Sequence, residues 1–197
     1  MLSACGPSQK VTSSWKNPNF TPQGRYQKVF VSALVQNQSL KQNLENNMAA
    51  AVRSKGYQVI KSTDIFQPTF TKANAPSNED VLNKIRNSGC DLIYTISLVD
   101  KQSETRYVPG STYAPYPAYR MGFRGYYGYW APYAYDPGYY TTDKTYFFEG
   151  NLFDSKSETL IWSVQTEAYN PSSVEKLSEG LTATMLEQAQ KDLRMKR

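Results

Sequence analysis

With 197 residues, 40% of them hydrophobic, and only two cysteines, the chain can bury one sizeable core without a disulfide framework. It contains no histidine, which removes the commonest general base and the commonest metal ligand, and no run approaches the 18 apolar residues that a membrane-spanning helix needs. The net charge of +5 is spread along the chain; it would favour an anionic surface such as phospholipid headgroups, although solubility alone accounts for it equally well.

The first feature in chain order is Leu2-Ser3-Ala4-Cys5, which resembles the bacterial lipobox: small residues before the cut and a thiol to take the diacylglyceryl group. A basic and an apolar region would precede such a motif in a precursor. Here Met1 stands one residue ahead of it, so the expected anchor implies an export signal upstream of Met1. The plain alternative is an incidental free Cys5. Residues 1–25 are expected to be a lipobox remnant and polar tether, ending in an irregular lead-in over residues 15–25 that contains Pro18 and Pro22. Acylation at Cys5 would give stable attachment, since two or more chains hold where one does not. Gly6 lacks the acidic character that marks inner-membrane retention in enteric lipoproteins, so the resemblance implies an outer-membrane, periplasm-facing location.

A single α/β domain is expected over residues 26–197. Residues 28–35 are β-branched and apolar in a nearly continuous run, as expected of a strand covered on both faces. A helix should follow from about Ser39, capped by Ser39 with Gln42, carrying Leu40, Leu44, Met48, Ala51 and Val52 on one face and closed by Gly56. Residues 57–60 read as a second strand, parallel to the first by the βαβ rule. A polar loop over 61–76 leads to a helix capped by Ser77 with Asp80 and ended by Gly89. The third strand, 91–100, is the longest apolar run and should be central.

Residues 107–140 then break the pattern. Eleven of these 34 residues are tyrosine, with Phe123, Trp130, five glycines and five prolines; only Arg120, Arg124 and Asp136 are charged. Such a segment builds no aliphatic core and forbids a regular helix, yet carries a large area of amphipathic ring surface. Candidate contact residues are Tyr113, Tyr116, Tyr119, Arg120, Arg124, Tyr126, Tyr127, Tyr129, Trp130, Tyr133 and Tyr135. Tyrosine suits a protein contact because it brings area at low entropy cost; rings with arginine also suit a membrane interface or a glycan. Low-complexity decoration without a partner is the bland alternative.

Beyond it, residues 142–153 alternate, with Tyr146, Phe148 and Leu152 on one face, and Leu160, Trp162 and Val164 do the same after an Asp154–Glu158 turn. That predicts an antiparallel hairpin with one buried face. Ser172 with Glu175 should cap a last helix bearing Val174, Leu177, Leu181, Met185 and Ala189, with Gly180 admitted by close packing.

The predicted order is β-α-β-α-β, aromatic insertion, β-hairpin, α: an α/β chain with helices on a mixed five-stranded sheet. This order, the phrase Asn151–Asp154 to Leu160–Ser163 and the Gly89-Cys90-Asp91 lead into the third strand resemble bacterial envelope lipoproteins with a TolB amino-terminal-domain, LpoB or CsgG-like fold. The resemblance covers roughly residues 26–195. It implies a fold and an envelope lipoprotein, and carries no catalytic residue to transfer.

A search for chemistry yields no nucleophile–base pair. Cys90, between Gly89 and Asp91, reads as a buried structural thiol. Asp143 and Glu149 lie six residues apart on one strand, about 20 Å, too far for an acid–base pair, while Asp64, Asp91 and Asp100 sit at strand ends. No phosphate loop and no metal pattern appear, so no cofactor and no metal are expected. Two arginines without lysine make the insertion a poor nucleic-acid site. The expected function is a membrane-anchored, non-catalytic binding or assembly module with an envelope protein partner or self-association. The alternative is a histidine-free enzyme or glycan-binding protein acting on envelope lipid or polysaccharide.

Overall fold

The computed structural model describes residues 9–22, 24–66, 77–108 and 139–193. Among these residues the elements are β1 (Gln9–Lys16), β2 (Lys28–Leu34), α1 (Gln38–Arg53), β3 (Gln58–Lys61), α2 (Ser62–Ile65), α3 (Asn78–Asn87), β4 (Leu92–Val108), β5 (Tyr139–Asp154), β6 (Leu160–Tyr169) and α4 (Val174–Leu193). The chain divides into two units, residues 1–101 with 145–197, and residues 102–144.

The expected class holds: a mixed α/β fold on an open sheet. The sheet has six strands rather than five, in the order β1-β6-β5-β4-β2-β3. The added strand is β1, drawn from residues expected to be tether. It pairs antiparallel with β6, from Gln9 opposite Ala168 to Lys16 opposite Trp162, with a bulge between Val11 and Ser13. An edge strand has only part of its surface to bury, so Gln-Lys-Val-Thr-Ser-Ser-Trp-Lys carries almost no alternating signal.

The rest of the large unit follows the sequence closely. Strands β2 and β3 are parallel, and β2 is parallel to β4, with Val29 opposite Val59 on one side and Leu92 on the other. β4 therefore lies inside the sheet, flanked by β2 and β5. Both faces of β2 are covered, which is why its apolar run is nearly continuous. Val29, Val31 and Ala33 join the main core with Leu44 and Met48 of α1 and Leu181 and Met185 of α4. Phe30 faces the other way, into a smaller cluster with Ile85 of α3 and Cys90. The hairpin β5–β6 is antiparallel and buries Phe148, Trp162 and Val164 on one face.

Helix ends differ from expectation by one or two residues. The side chain of Asn37, not Ser39, accepts the Leu40 N–H at the start of α1, and the Ser173 hydroxyl, not Ser172, accepts the Lys176 N–H at the start of α4. Each rival polar residue had the required spacing, and only the backbone path selects one. Ser77 accepts from the Asp80 N–H as predicted, and Gly56 and Gly89 adopt φ of +87° and +70° at the two helix exits. The predicted loop 61–76 contains the short α2; residues 67–76 lie outside the described residues.

Two glycines admit neighbouring side chains. Gly180 of α4 lies under Gln9 of β1, whose Nε2 donates to the carbonyls of Lys176 and Leu177 at 3.4 and 3.3 Å; a Cβ at 180 would collide with the Gln9 amide. The expected close packing is thus real, and its partner is a polar side chain of the edge strand. At Gly150 of β5, a Cβ would meet the hydroxyl of buried Tyr94 and would sit 3.2 Å from Val164 Cγ1. Gly150→Ala is therefore expected to cost about 1–3 kcal/mol by overpacking. Urea unfolding should show a smaller cost in a Tyr94→Phe background, because the colliding oxygen is gone.

Candidate functional site

The aromatic segment enters and leaves through the second unit. β4 continues beyond the predicted limit of Asp100 to Val108, and β5 begins at Tyr139 rather than near 142. Positions 107, 108, 139 and 140, expected to belong to the insertion, are therefore strand. The Thr105 and Thr142 hydroxyls stand 3.2 Å apart, and Arg106 Nε donates to Asp143 Oδ2 at 2.8 Å. These cross-strand pairs join residues 102–108 and 139–144 into a ribbon. Residues 101–106 are all exposed, so their polar sequence has no hydrophobic period to announce a strand. The candidate contact residues Tyr113, Tyr116, Tyr119, Arg120, Arg124, Tyr126, Tyr127, Tyr129, Trp130, Tyr133 and Tyr135 lie outside the described residues, as does Cys5.

In the large unit, β2 ends at a groove of about 790 Å³ that residues 98–101, midway along β4, also line. Its apolar lining includes Leu34 (58% exposed), Leu98 (37%) and Val99 (54%), with Val35 and Val174 beside them. Crevices at the carboxyl ends of parallel strands are the usual ligand position in open α/β sheets. Lys101 lies over the Tyr146 ring at this groove, 5.6 Å from its centroid. Both side chains were visible in sequence, but nothing in their spacing brings them together.

The acids singled out from the sequence are occupied by structural bonds. Asp91 Oδ2 accepts the N–H groups of Gln27 and Lys28, ordering the start of β2. Asp64 accepts the Lys61 N–H and pairs with the Lys61 ammonium. Asp143 pairs with Arg106 as above, Glu149 accepts from Asn151 and Gln165, and Asp100 Oδ1 accepts the Lys101 N–H. Asp154 leads the β5–β6 turn as expected: Oδ1 accepts from the N–H groups of Lys156 and Ser157, and Oδ2 from the Tyr26 hydroxyl. Burial alone would raise its carboxyl; these bonds outweigh burial and hold it below the ordinary range. Ser155 next to it donates to the Cys90 carbonyl at 2.6 Å, so the Gly89-Cys90-Asp91 lead and the hairpin turn, 65 residues apart, meet. Cys90 itself is buried, and burial pushes its thiol up, away from the reactive thiolate.

One constellation escaped the sequence reading. Lys41, Glu45 and Ser62 converge: Lys41 Nζ donates to Glu45 Oε1 at 2.7 Å, to Ser62 Oγ at 2.8 Å and to the Ala33 carbonyl at 2.8 Å. Ser62 donates to Glu45 Oε1 at 2.6 Å, and the N–H groups of Ala33 and Thr63 reach the same carboxylate. By residue type this is a serine beside a lysine base. By geometry it is not, because Ser62 donates its proton to Glu45 and Lys41 donates to both of them. Its task is to tie β2, α1 and α2 together. Among the described residues no three His, Cys, Asp or Glu side chains gather where a metal ion could sit, and no helix is long and apolar enough to cross a membrane.

No protein-family model matches the chain, and no curated protein does. Solved structures do. The PelC dodecamer from Paraburkholderia phytofirmans is 15% identical, with 90% of this chain and 94% of that one covered and a TM-score of 0.47. The lipoprotein GNA1162 from Neisseria meningitidis is 12% identical, with coverage of 84% and 99% and a TM-score of 0.45. A neuraminyllactose-binding hemagglutinin homolog from Helicobacter pylori is 13% identical, with coverage of 88% and 85% and a TM-score of 0.35. None of these values places the chain in a family, and the TolB, LpoB or CsgG-like membership stays at the level of resemblance.

Proposed function

We propose that this chain is a lipid-anchored envelope protein acting as a non-catalytic binding or assembly module, with the ring-bearing segment 109–138 as its contact surface. The observation that carries this reading is the ribbon. The aromatic stretch begins and ends on two strands joined by Arg106–Asp143 and Thr105–Thr142, so its ends are held at a defined spacing. A loop offered on a paired ribbon loses less entropy on meeting a partner than one tethered loosely. Cys5 supplies the anchor, and the membrane at which it inserts is the outer one, with the body facing the periplasm. The partner is another envelope protein or a second copy of the chain; nucleic acid and cofactors have no part. The acids and the Lys41–Ser62 pair are spent on internal bonds, which supports a binding role over the histidine-free enzyme.

Replacing residues 109–138 by Asn-Gly, a two-residue hairpin turn, is the test. The expected result is an unchanged urea midpoint for the large unit together with loss of the species crosslinked to the full chain in intact cells. An unchanged set of crosslinked species would overturn the assignment of the contact surface.

A further inference from the structure

At the end of the sheet opposite the groove, where β2 and β4 begin, a second cavity of about 270 Å³ opens between the sheet and the last turns of α1 and α4. Its floor is core: Met48, Trp162 and Met185 line it and are at most 2% exposed. Its outer wall is the lead-in loop after β1, where Phe20 and Tyr26 stack with ring centroids 6.3 Å apart and Tyr26 is moored to Asp154 by its hydroxyl. Lys16, exposed at the rim, is the one charged residue in its lining among the described residues. The pocket is half open, so its apolar lining stays in contact with water unless a ligand covers it. Dividing by the ~30 Å³ that a small liquid unit occupies gives room for about nine carbon-sized groups. The site is apolar with a lysine at its mouth, and two methionines in its floor let the walls adapt to a flexible chain.

We propose that this cavity is a binding site for a single medium-length alkyl chain bearing an anionic head, a free fatty acid being the simplest case. The chain lies against Met48, Trp162 and Met185, and the carboxylate rests beside Lys16. Asp192, which accepts from Trp162 Nε1 at 2.8 Å and Gln188 Nε2 at 3.0 Å, also feels the Lys16 charge, so the ligand carboxylate shares that ammonium with it. The ligand is a separate molecule and not the chain's own anchor. Gln9 lies on the first turns of α4, against the carbonyls of Lys176 and Leu177, whereas the cavity lies on its last turns, at Ala189 and Leu193. Seven strand steps from Gln9 to Lys16 put about 24 Å between the two ends of β1. The site stands independently of the role of the aromatic segment.

Decanoate and decanol are the probes, titrated into the unacylated full chain with carbon-13-labelled methionine methyl groups. Saturable one-to-one decanoate binding that shifts the Met48 and Met185 methyl signals is the expected result. Ala189→Phe, which fills the cavity, should weaken both probes by about tenfold or more, as the buried apolar area is lost. Lys16→Glu should weaken decanoate by a few-fold, as an exposed charge contact does, and leave decanol unchanged. Should Ala189→Phe fail to fold, Leu186→Phe on the half-buried wall blocks the same space. Absence of saturable binding, wild-type affinity in a folded cavity-filling variant, or shifts confined to other methionines would each overturn the proposal. So would a Cys5-acylated chain that no longer takes decanoate, since the anchor would then be the occupant.

Discussion

Glu45→Ala should destabilise the large unit by about 3–5 kcal/mol, the usual cost of breaking a buried ion pair from one side. Glu45 is fully buried, and its two oxygens accept from Lys41 Nζ, Ser62 Oγ and the N–H groups of Ala33 and Thr63. Alanine strands both N–H groups and leaves Lys41 charged without its counterion. Urea unfolding followed by far-ultraviolet circular dichroism measures the loss as a lower midpoint at unchanged slope. Glu45→Gln should recover part of it, because one side-chain oxygen still accepts.

The same carboxylate sets a pH dependence. Burial pushes its carboxyl up, and the bonds from Lys41, Ser62, Ala33 and Thr63 together outweigh burial, so it lies below its ordinary value of 4.5. A folded value below the unfolded one means that the stabilisation is fully present above about pH 4.5 and is lost as pH falls through the folded value. Asp154 and Asp192 are held low by their own hydrogen bonds and act in the same direction. The wild-type chain should thus lose stability on acidification, and Glu45→Ala should show a shallower acid limb. A slope identical in both chains would contradict the role given to Glu45.

Trp162→Ala should be comparably damaging, at about 3–5 kcal/mol for removing a buried indole. Trp162 is 1% exposed, stacks on Tyr94 with centroids 6.4 Å apart, and donates Nε1 to Asp192 Oδ2 at 2.8 Å. It therefore joins β6, β4 and α4 at the centre of the main core. Trp162→Phe separates the two contributions: it keeps most of the ring and removes the donor, so about 1–3 kcal/mol should remain. The Asp192 carboxyl should titrate higher in that variant, readable by carbon-13 chemical shift. Equal losses in the alanine and phenylalanine variants would mean that the hydrogen bond, and not the packing, does the holding.

The resemblance to envelope lipoproteins rested on Gly89-Cys90-Asp91 and on the hairpin phrase with its Asp-led turn. In the fold these two stretches touch, through the Ser155 hydroxyl, which donates to the Cys90 carbonyl, and the Ser155 N–H, which donates to the Asp91 carbonyl at 2.9 Å. Such a pair of local phrases is legible because each has its own turn chemistry. Their contact is not legible, because nothing in either phrase names the other.

What the sequence determined alone is the part governed by period and by local backbone demand. The nearly continuous apolar run of 28–34 required a strand covered twice, the alternation around Phe148 and Trp162 required a half-buried hairpin, and Gly56 and Gly89 marked left-handed helix exits. What only the tertiary structure decided is the part without a period. β1 and the ribbon of β4 and β5 are polar strands stabilised by neighbouring backbone rather than by a buried face. The Lys41–Glu45–Ser62 cluster and the Lys16-rimmed cavity each gather residues from elements far apart in sequence. Hydrophobic periodicity is a property of one segment and can be read from it, whereas pairing of polar strands and convergence of side chains depend on where other segments lie.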